Sequence, residues 1–285
     1  MASSVTSTKI IRIGPNGQEN APDLVANEEP LEIRLGIGSA NEREQLSLSV
    51  TMRTPGHDKE LALGFLFTEG IINSFDDVSS IEYCQTVKTE EAENVVRVEL
   101  RPTIQLDADK LSRHFYTTSS CGVCGKSSID AVQVPIQPLK DHFRKVDSKV
   151  VCQLPKLLEE AQMVFEHTGG LHACGLFSDK GKLLELREDV GRHNAVDKLV
   201  GVLLSKKMLP ASDAILMLSG RVSFELVQKA ARAGINFIAA IGAPSSLAIE
   251  MAKKHDITMV GFLKNSSFNI YSGEKRIEIS KGTCT

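Results

Sequence analysis

The second half of the chain alternates short apolar runs with amphipathic stretches, and this constrains the fold more than any other feature. Strand-like runs at Ala214 to Leu218, Asn236 to Ile241 and Thr258 to Leu263 are separated by helical stretches at Phe224 to Ala233 and Ser245 to His255. A helix at about Asn194 to Leu204 precedes them, and a strand-like Phe268 to Ser272 ends the run. Strands alternating with helices predict a largely parallel sheet covered on both faces, an α/β fold. Just upstream, Leu154 to His167 has helical spacing and stops at Gly169-Gly170. Leu171 to Phe177 and Lys182 to Leu186 flank the turn Ser178 to Gly181, which predicts a hairpin.

The first half reads differently. Glu32 to Leu35, Gln45 to Met52 and Val95 to Leu100 have the strand period, and a helix is expected from about Asp58 with Gly70 near its end. This describes a small α+β domain over residues 26–115. Residues 1–25 are polar and turn-rich and are expected to form a loose arm. Tyr116 to Ser128 lacks periodicity, and Pro135 and Pro138 follow, so residues 116–150 read as a loop and connector. Residues 151–285 then form the larger α/β domain. At 285 residues there is room for two such units and a substantial core.

Composition excludes several function classes. Lys and Arg number 33 against 36 Asp and Glu, a net charge of −3, and there is no Trp. Phosphate-backbone binding needs the opposite balance, so nucleic acid is not an expected partner. The longest apolar runs, such as Leu199 to Leu204, are far shorter than a membrane span. The N-terminus has no apolar signal region, so a soluble, cytoplasmic protein is expected.

Six cysteines in a chain of this length do not make a disulfide scaffold, and they read as core thiols, metal ligands or reactive groups. Cys84, Cys152, Cys174 and Cys284 stand alone, whereas Cys121 and Cys124 form a Cys-Gly-Val-Cys pair. A structural zinc would need a second pair, which is lacking. A thioredoxin-like redox pair would sit between a strand and a helix N-terminus, whereas the flanks here are Ser, Gly and Lys. A sulfur carrier is the third reading, with Lys126 and glycine-bared N–H groups favouring a thiolate or persulfide. Spacing alone does not choose between the last two. Zinc deaminase chemistry is rejected. His172-Ala173-Cys174 lacks the required Glu, and the Cys-x-x-Cys precedes the His.

Ligands of open α/β sheets bind beyond the carboxyl ends of strands. Three turns qualify: Ser219 to Ser223 with Arg221, Gly242 to Ser246, and Phe262 to Ser267 with Lys264. Two carry a cation, which suits a phosphorylated or nucleotide-like ligand. Asp189 to Lys198 concentrates Asp189, Arg192 and His193 at a helix start, more than one cap requires. Functional use is favoured there, with an ion-pair network as its competitor.

Several motifs together resemble the FdhD/NarQ family of formate dehydrogenase accessory sulfurtransferases. They are Cys121-Gly-Val-Cys124-Gly, Thr168-Gly169-Gly170-x-His172-Ala173, Glu188-Asp189-Val190-Gly191-Arg192-His193-Asn194-Ala195-Val196-Asp197-Lys198, Ser219-Gly220-Arg221-x-Ser223-x-Glu225, and Phe262-Leu263-Lys264 through Tyr271. The resemblance runs from about Glu28 to the end. It implies a C-terminal three-layer domain like the cytidine deaminase fold without its chemistry, and a homodimer. It also implies receipt of sulfur from a cysteine desulfurase and delivery to the molybdenum or tungsten bis(molybdopterin guanine dinucleotide) cofactor of formate dehydrogenase. The cofactor and its metal are then a bound substrate, and the chain needs no metal of its own. Cys121 would bear the persulfide and Cys124 assist it. Phe262, Leu263, Lys264, Asn265, Ser266 and Ser267 would form the cofactor-binding stretch, with Ser219, Arg221, Asp189 and His193 as further cofactor-binding residues. Lys264 stands where many members carry Arg, which keeps the charge but loses the planar fork. The alternatives are a cofactor-binding chaperone or a thiol-disulfide redox protein.

Overall fold

The computed structural model of the chain describes residues 3–15, 17–84, 89–104, 106, 134–136 and 145–280. The first element is a hairpin, where sequence predicts a loose arm. β1 (Val5–Gly14) pairs antiparallel with β2 (Gly17–Ala26) along its whole length, from Val5 opposite Ala26 to Gly14 opposite Gly17. The Gly-Pro-Asn-Gly signal marks a tight reversal between two strands, and such a signal reads the same in an irregular arm.

A four-stranded sheet follows, built from β3 (Glu29–Gly38), β4 (Arg43–Arg53), β5 (Val78–Tyr83) and β6 (Val95–Leu100) in the order β4-β3-β6-β5. The helix α1 (Asp58–Thr68) lies between β4 and β5 in sequence. Alternation places Leu31, Ile33 and Leu35 of β3 in the core against Leu61 and Leu66 of α1.

The short β7 (Val146–Asp147) leads into α2 (Ser148–Ala161), and α3 (Met163–Thr168) resumes one residue later. A single helix is expected over this stretch. The break falls at Gln162, because the Glu188 carboxylate accepts from the Val164 and Phe165 N–H groups at 3.2 and 3.0 Å and so caps a new helix. Gly169, in the left-handed conformation, ends α3 as its sequence predicts.

The second sheet contains β8 (His172–Ser178), β9 (Leu183–Asp189), β10 (Ala214–Leu218), β11 (Phe237–Ala240), β12 (Thr258–Lys264) and β13 (Ser267–Ser272). Its order is β13-β12-β11-β10-β8-β9. Only the central β10, β11 and β12 are parallel. The β8–β9 and β12–β13 hairpins make both flanks antiparallel, which corrects the expectation of a largely parallel sheet. The helices α4 (Arg192–Ser205), α5 (Phe224–Arg232) and α6 (Ser246–Lys254) connect these strands. Ile215 and Met217 of β10 pack with Val151, Leu154 and Leu158 of α2, whereas Leu216 and Leu218 face Leu199, Leu226 and Ala248 of the other helices. Helices thus cover both faces, and the fold is mixed α/β. The short β14 (Ile277–Glu278) returns to pair with β7.

One apolar cluster runs from Leu31 and Val98 of the first sheet through Leu66 of α1 to Leu199 and Leu216. Its centre is the crossing of α1 and α4. A Cβ on Gly64 would lie 1.8 Å from the Asp197 carbonyl oxygen, and one on Gly201 would lie 1.9 Å from that of Glu60. Glycine at both positions lets the two backbones touch. Charges are paired beneath the crossing. Lys229 Nζ donates to both Asp197 oxygens at 2.9 Å and to Thr68 Oγ1 at 2.9 Å, all buried. No helix among the described residues is long and apolar enough to cross a membrane.

Candidate functional site

β10, β11 and β12 all end in turns at one edge of the second sheet, and main-chain hydrogen bonds join these turns. Gly242 N–H donates to Gly220 O at 3.1 Å, Val222 N–H to Ala243 O at 3.1 Å, Ser245 N–H to Val222 O at 3.0 Å, and Phe262 N–H to Gly242 O at 3.2 Å. The turns therefore extend the sheet beyond its regular strands. Gly242 makes this possible, since a Cβ there would stand 2.8 Å from the Arg221 backbone. On this platform Arg221, Lys264, Asn265, Ser266 and Ser267 are exposed.

Phe262 has φ near +50°, in the left-handed region that bulky residues rarely occupy. The register of β12 with β13 shifts between Gly261 and Lys264, so Phe262 sits in an irregular stretch, and the residue is 47 % exposed. The same kink turns Leu263 inward. It is 1 % exposed and belongs to the core, so its side chain is unavailable to a ligand, which corrects its expected cofactor contact. Ser219 binds β8 in both directions, its N–H donating to Ala173 O and its Oγ accepting from Ala173 N–H at 2.9 Å.

His193 and Ser223 stand where α4 and α5 begin, and His193 Nε2 lies 3.2 Å from Ser223 Oγ and 3.6 Å from Glu225 Oε2. Both partners use the same ring nitrogen, so the three do not form a relay through the imidazole. Burial pushes the Glu225 carboxyl up, but its hydrogen bonds with His193 and Ser223 outweigh this and hold it at about 2.

Asp189 differs from its expected role. It is 0 % exposed, and its carboxylate is within 2.7 Å of Lys198 Nζ. It also accepts from the N–H groups of Gly191 and Thr54 and from Asn194 Nδ2, at 2.8, 3.2 and 3.1 Å. A carboxylate with its oxygens spent this way braces β9, α4 and the residue after β4, and it makes no direct ligand contact. The ion-pair reading fits Asp189, and the neighbouring Arg192 differs from it. Its Nε is buried with no partner among the described residues.

Beside the platform lies a cleft of about 480 Å³ between the α2–α3 break and the end of β10. Gln162, His172, Ser219 and Ile241 line it. Burial, reinforced by the Arg192 charge, holds His172 below the ordinary imidazole value, so its ring is neutral at pH 7. Sequence reasoning had no means of finding Gln162, because the stretch around it has unbroken helical spacing.

Cys121 and Cys124 lie outside the described residues. The chain bearing them is anchored on either side. Ile104 and Leu106 pack on the core, Val134 N–H donates to Gln228 Oε1 at 3.1 Å, and Pro135 O accepts from Arg232. Of the other cysteines, Cys84 and Cys174 are buried thiols, the Cys84 sulfur accepts from Arg34, and burial pushes the Cys174 thiol up. Cys152 is disulfide-bonded, which differs from the expectation of core thiols, metal ligands or reactive groups. Among the described residues no three His, Cys, Asp or Glu side chains are placed to hold a metal ion.

The FdhD/NarQ family profile matches residues 26–278. The chain is 47 % identical over 275 residues to the sulfur carrier protein FdhD of Streptomyces avermitilis, covering 95 % of each chain. It is 42 % identical over 273 residues to the protein of that name from Sulfurisphaera tokodaii, covering 96 % of this chain and 99 % of that one. Among solved structures it resembles a formate dehydrogenase accessory protein from Desulfotalea psychrophila, with a TM-score of 0.71 and 25 % identity over 97 % of this chain and 100 % of that one. On these likenesses, which span nearly its whole length, the chain belongs to the FdhD/NarQ family.

Proposed function

We propose that this chain is a sulfurtransferase serving formate dehydrogenase. It takes sulfur from a cysteine desulfurase as a Cys121 persulfide and passes it to the molybdenum or tungsten bis(molybdopterin guanine dinucleotide) cofactor, which is its substrate. In the first step the Cys121 thiolate attacks the outer sulfur of the desulfurase persulfide. The new S–S bond forms on Cys121 as the old one breaks, and the desulfurase cysteine leaves as a thiolate. Cys124 assists. The protein acts in the cytoplasm as a homodimer, and its second sheet is a non-catalytic relative of the cytidine deaminase architecture.

The observation that carries this reading is where the cysteine-bearing segment rejoins the core. Gln228 and Arg232 of α5 hold Val134 and Pro135, and α5 begins at the turn carrying Arg221 and Ser223. Gln228 stands five residues after Ser223, about 7 Å along the helix axis. The ten residues from Cys124 to Val134 can span up to roughly 35 Å. Chain length, three residues longer from Cys121, allows that cysteine to reach the platform where Arg221 and Lys264 would offer cations to phosphates. The names of the curated relatives, as sulfur carriers, support the same chemistry.

Intact-mass measurement after incubation with a cysteine desulfurase and cysteine tests the reading. One added sulfur on the wild type, absent from Cys121→Ala, is expected, together with loss of formate dehydrogenase activation by that variant. Full activation by Cys121→Ala would sink the proposal and leave a cofactor-binding chaperone.

A further inference from the structure

We propose that Gln228 and Arg232 are positioning residues for sulfur delivery. They fix on α5 the chain that leads away from the cysteine pair, and so shorten the tether on which Cys121 carries its sulfur. The inference rests on the reading above, in which Cys121 bears a persulfide.

Between Leu106 and Lys145 the described residues are 134–136, and each of the three is held. Val134 N–H donates to Gln228 Oε1 at 3.1 Å, and both residues are buried. The Val134 side chain lies against the turn after α1, where a Cβ on Gly70 would stand 2.9 Å from Val134 Cγ1. Pro135 O accepts from Arg232 Nη1 at 3.1 Å, and Ile136 packs on the apolar core.

Arg232 gathers three stretches of chain at this point. Its Nε donates to Phe67 O at 3.2 Å, and its Nη2 to Ile72 O at 3.2 Å and to Asn73 Oδ1 at 2.7 Å. The guanidinium carbon lies 5.1 Å from the centre of the Phe67 ring. All four acceptors are neutral, and burial alone pushes the guanidinium below its ordinary value. What the residue supplies is therefore geometry. Its planar fork joins the end of α1, the following turn and Pro135, which the point charge of a lysine cannot do.

The helix that carries this clamp is itself fixed. Lys229, between the two clamp residues, binds Asp197 of α4 and Thr68 of α1, and Ser223 at the start of α5 lies 3.2 Å from His193 Nε2. The distance from clamp to platform turn is thus set by one short, braced helix. If residues 134–136 were released, the next described attachment would be at Val146. That residue packs with Val151 and Leu154 of α2, on the opposite face of the second sheet. Counted from Cys121, the tether would grow from thirteen residues to twenty-five. Effective concentration falls roughly as the −3/2 power of tether length, so delivery to the platform should slow about two- to threefold.

The test uses the full-length protein, loaded on Cys121 by a cysteine desulfurase and cysteine. Intact mass follows loss of that sulfur to the molybdenum bis(molybdopterin guanine dinucleotide) cofactor and, separately, to dithiothreitol. Dithiothreitol diffuses to Cys121 and needs no tether. Its thiolate attacks the outer sulfur, and Cys121 leaves as a thiolate. Loss of the clamp lowers the ratio of the first rate to the second, whereas damage to the thiol lowers both. Gln228→Met keeps the side-chain length without the acceptor and should reduce the ratio about two- to threefold, as should Arg232→Lys. Gln228→Glu keeps an acceptor oxygen and should restore the wild-type ratio. Val134→Pro removes the donor from the other side and leaves α5 intact, so it reports on the clamp even if Gln228→Met fails to fold. A wild-type ratio in Gln228→Met or in Val134→Pro, or a Gln228→Glu ratio as low as that of Gln228→Met, would overturn the clamp and leave the sulfur carrier standing. Absence of sulfur from wild-type Cys121 would remove the carrier reading, and the clamp with it.

Discussion

Replacing Gly64 by alanine sets two effects of opposite sign against each other. Alanine is favoured over glycine within a helix by about 1 kcal/mol, so propensity alone predicts a more stable protein. The structure predicts the opposite. The added Cβ would lie 1.8 Å from the Asp197 carbonyl oxygen, where ordinary contact needs about 3.4 Å, so α1 must withdraw from α4 by roughly 1.6 Å. Neither atom belongs to a rotatable side chain, so no rotamer change relieves the clash. Withdrawal also stretches the contacts of Thr68 with Asp197 and of Arg187 with Glu60, which bind α1 to the second half of the chain. Overpacking costs of about 1–3 kcal/mol are usual, and a clash between two backbones belongs at or above the upper end. We expect a net loss of about 3 kcal/mol and a fall in melting temperature of about 5 °C. Urea unfolding and calorimetry measure both. A melting temperature equal to or above wild type would refute the view that this glycine contact sets the spacing of the two halves.

Lys229→Met should leave the Asp197 carboxylate buried without its cation and cost about 3–5 kcal/mol in urea unfolding, with part recovered on adding Asp197→Asn. Acid should weaken the fold through Glu60 and Glu225. Burial raises both carboxyls, but hydrogen bonds with Arg187 and His57, and with His193 and Ser223, outweigh it and hold each at about 2 against an ordinary 4.5. A depressed folded value means that their stabilisation is complete above about pH 4.5 and is lost as pH falls toward 2. Glu60→Gln should flatten that decline in melts run across this range. Lys264→Ala should weaken GDP binding by about 1–3 kcal/mol in calorimetry while leaving sulfur loading of Cys121 unchanged, since the two events use different parts of the chain.

Sequence by itself determined the strands and α-helices between Ala214 and Ser272 to within a residue at each end. The strand Ala214 to Leu218 and the helix from Phe224 follow from local apolar periodicity, and the stop at Gly169 from glycine's tolerance of the left-handed backbone. Such signals lie within a few residues of what they specify. The position of the three candidate turns was legible for the same reason, since each follows a strand. What those signals lack is any record of which distant group stands opposite. Asp189 reads as a site residue until Thr54 and Lys198 close around it, and Leu263 reads as a ligand contact until the Phe262 kink turns it into the core. The antiparallel flanks of the second sheet depend on which neighbour each hairpin chose. The helix break at Gln162 exists because Glu188 of β9 reaches its amide groups from 23 and 24 residues away. Tertiary structure decided these features because each is a contact between segments that share no local pattern, and burial alone determines whether a polar side chain is spent on the protein or left for a ligand.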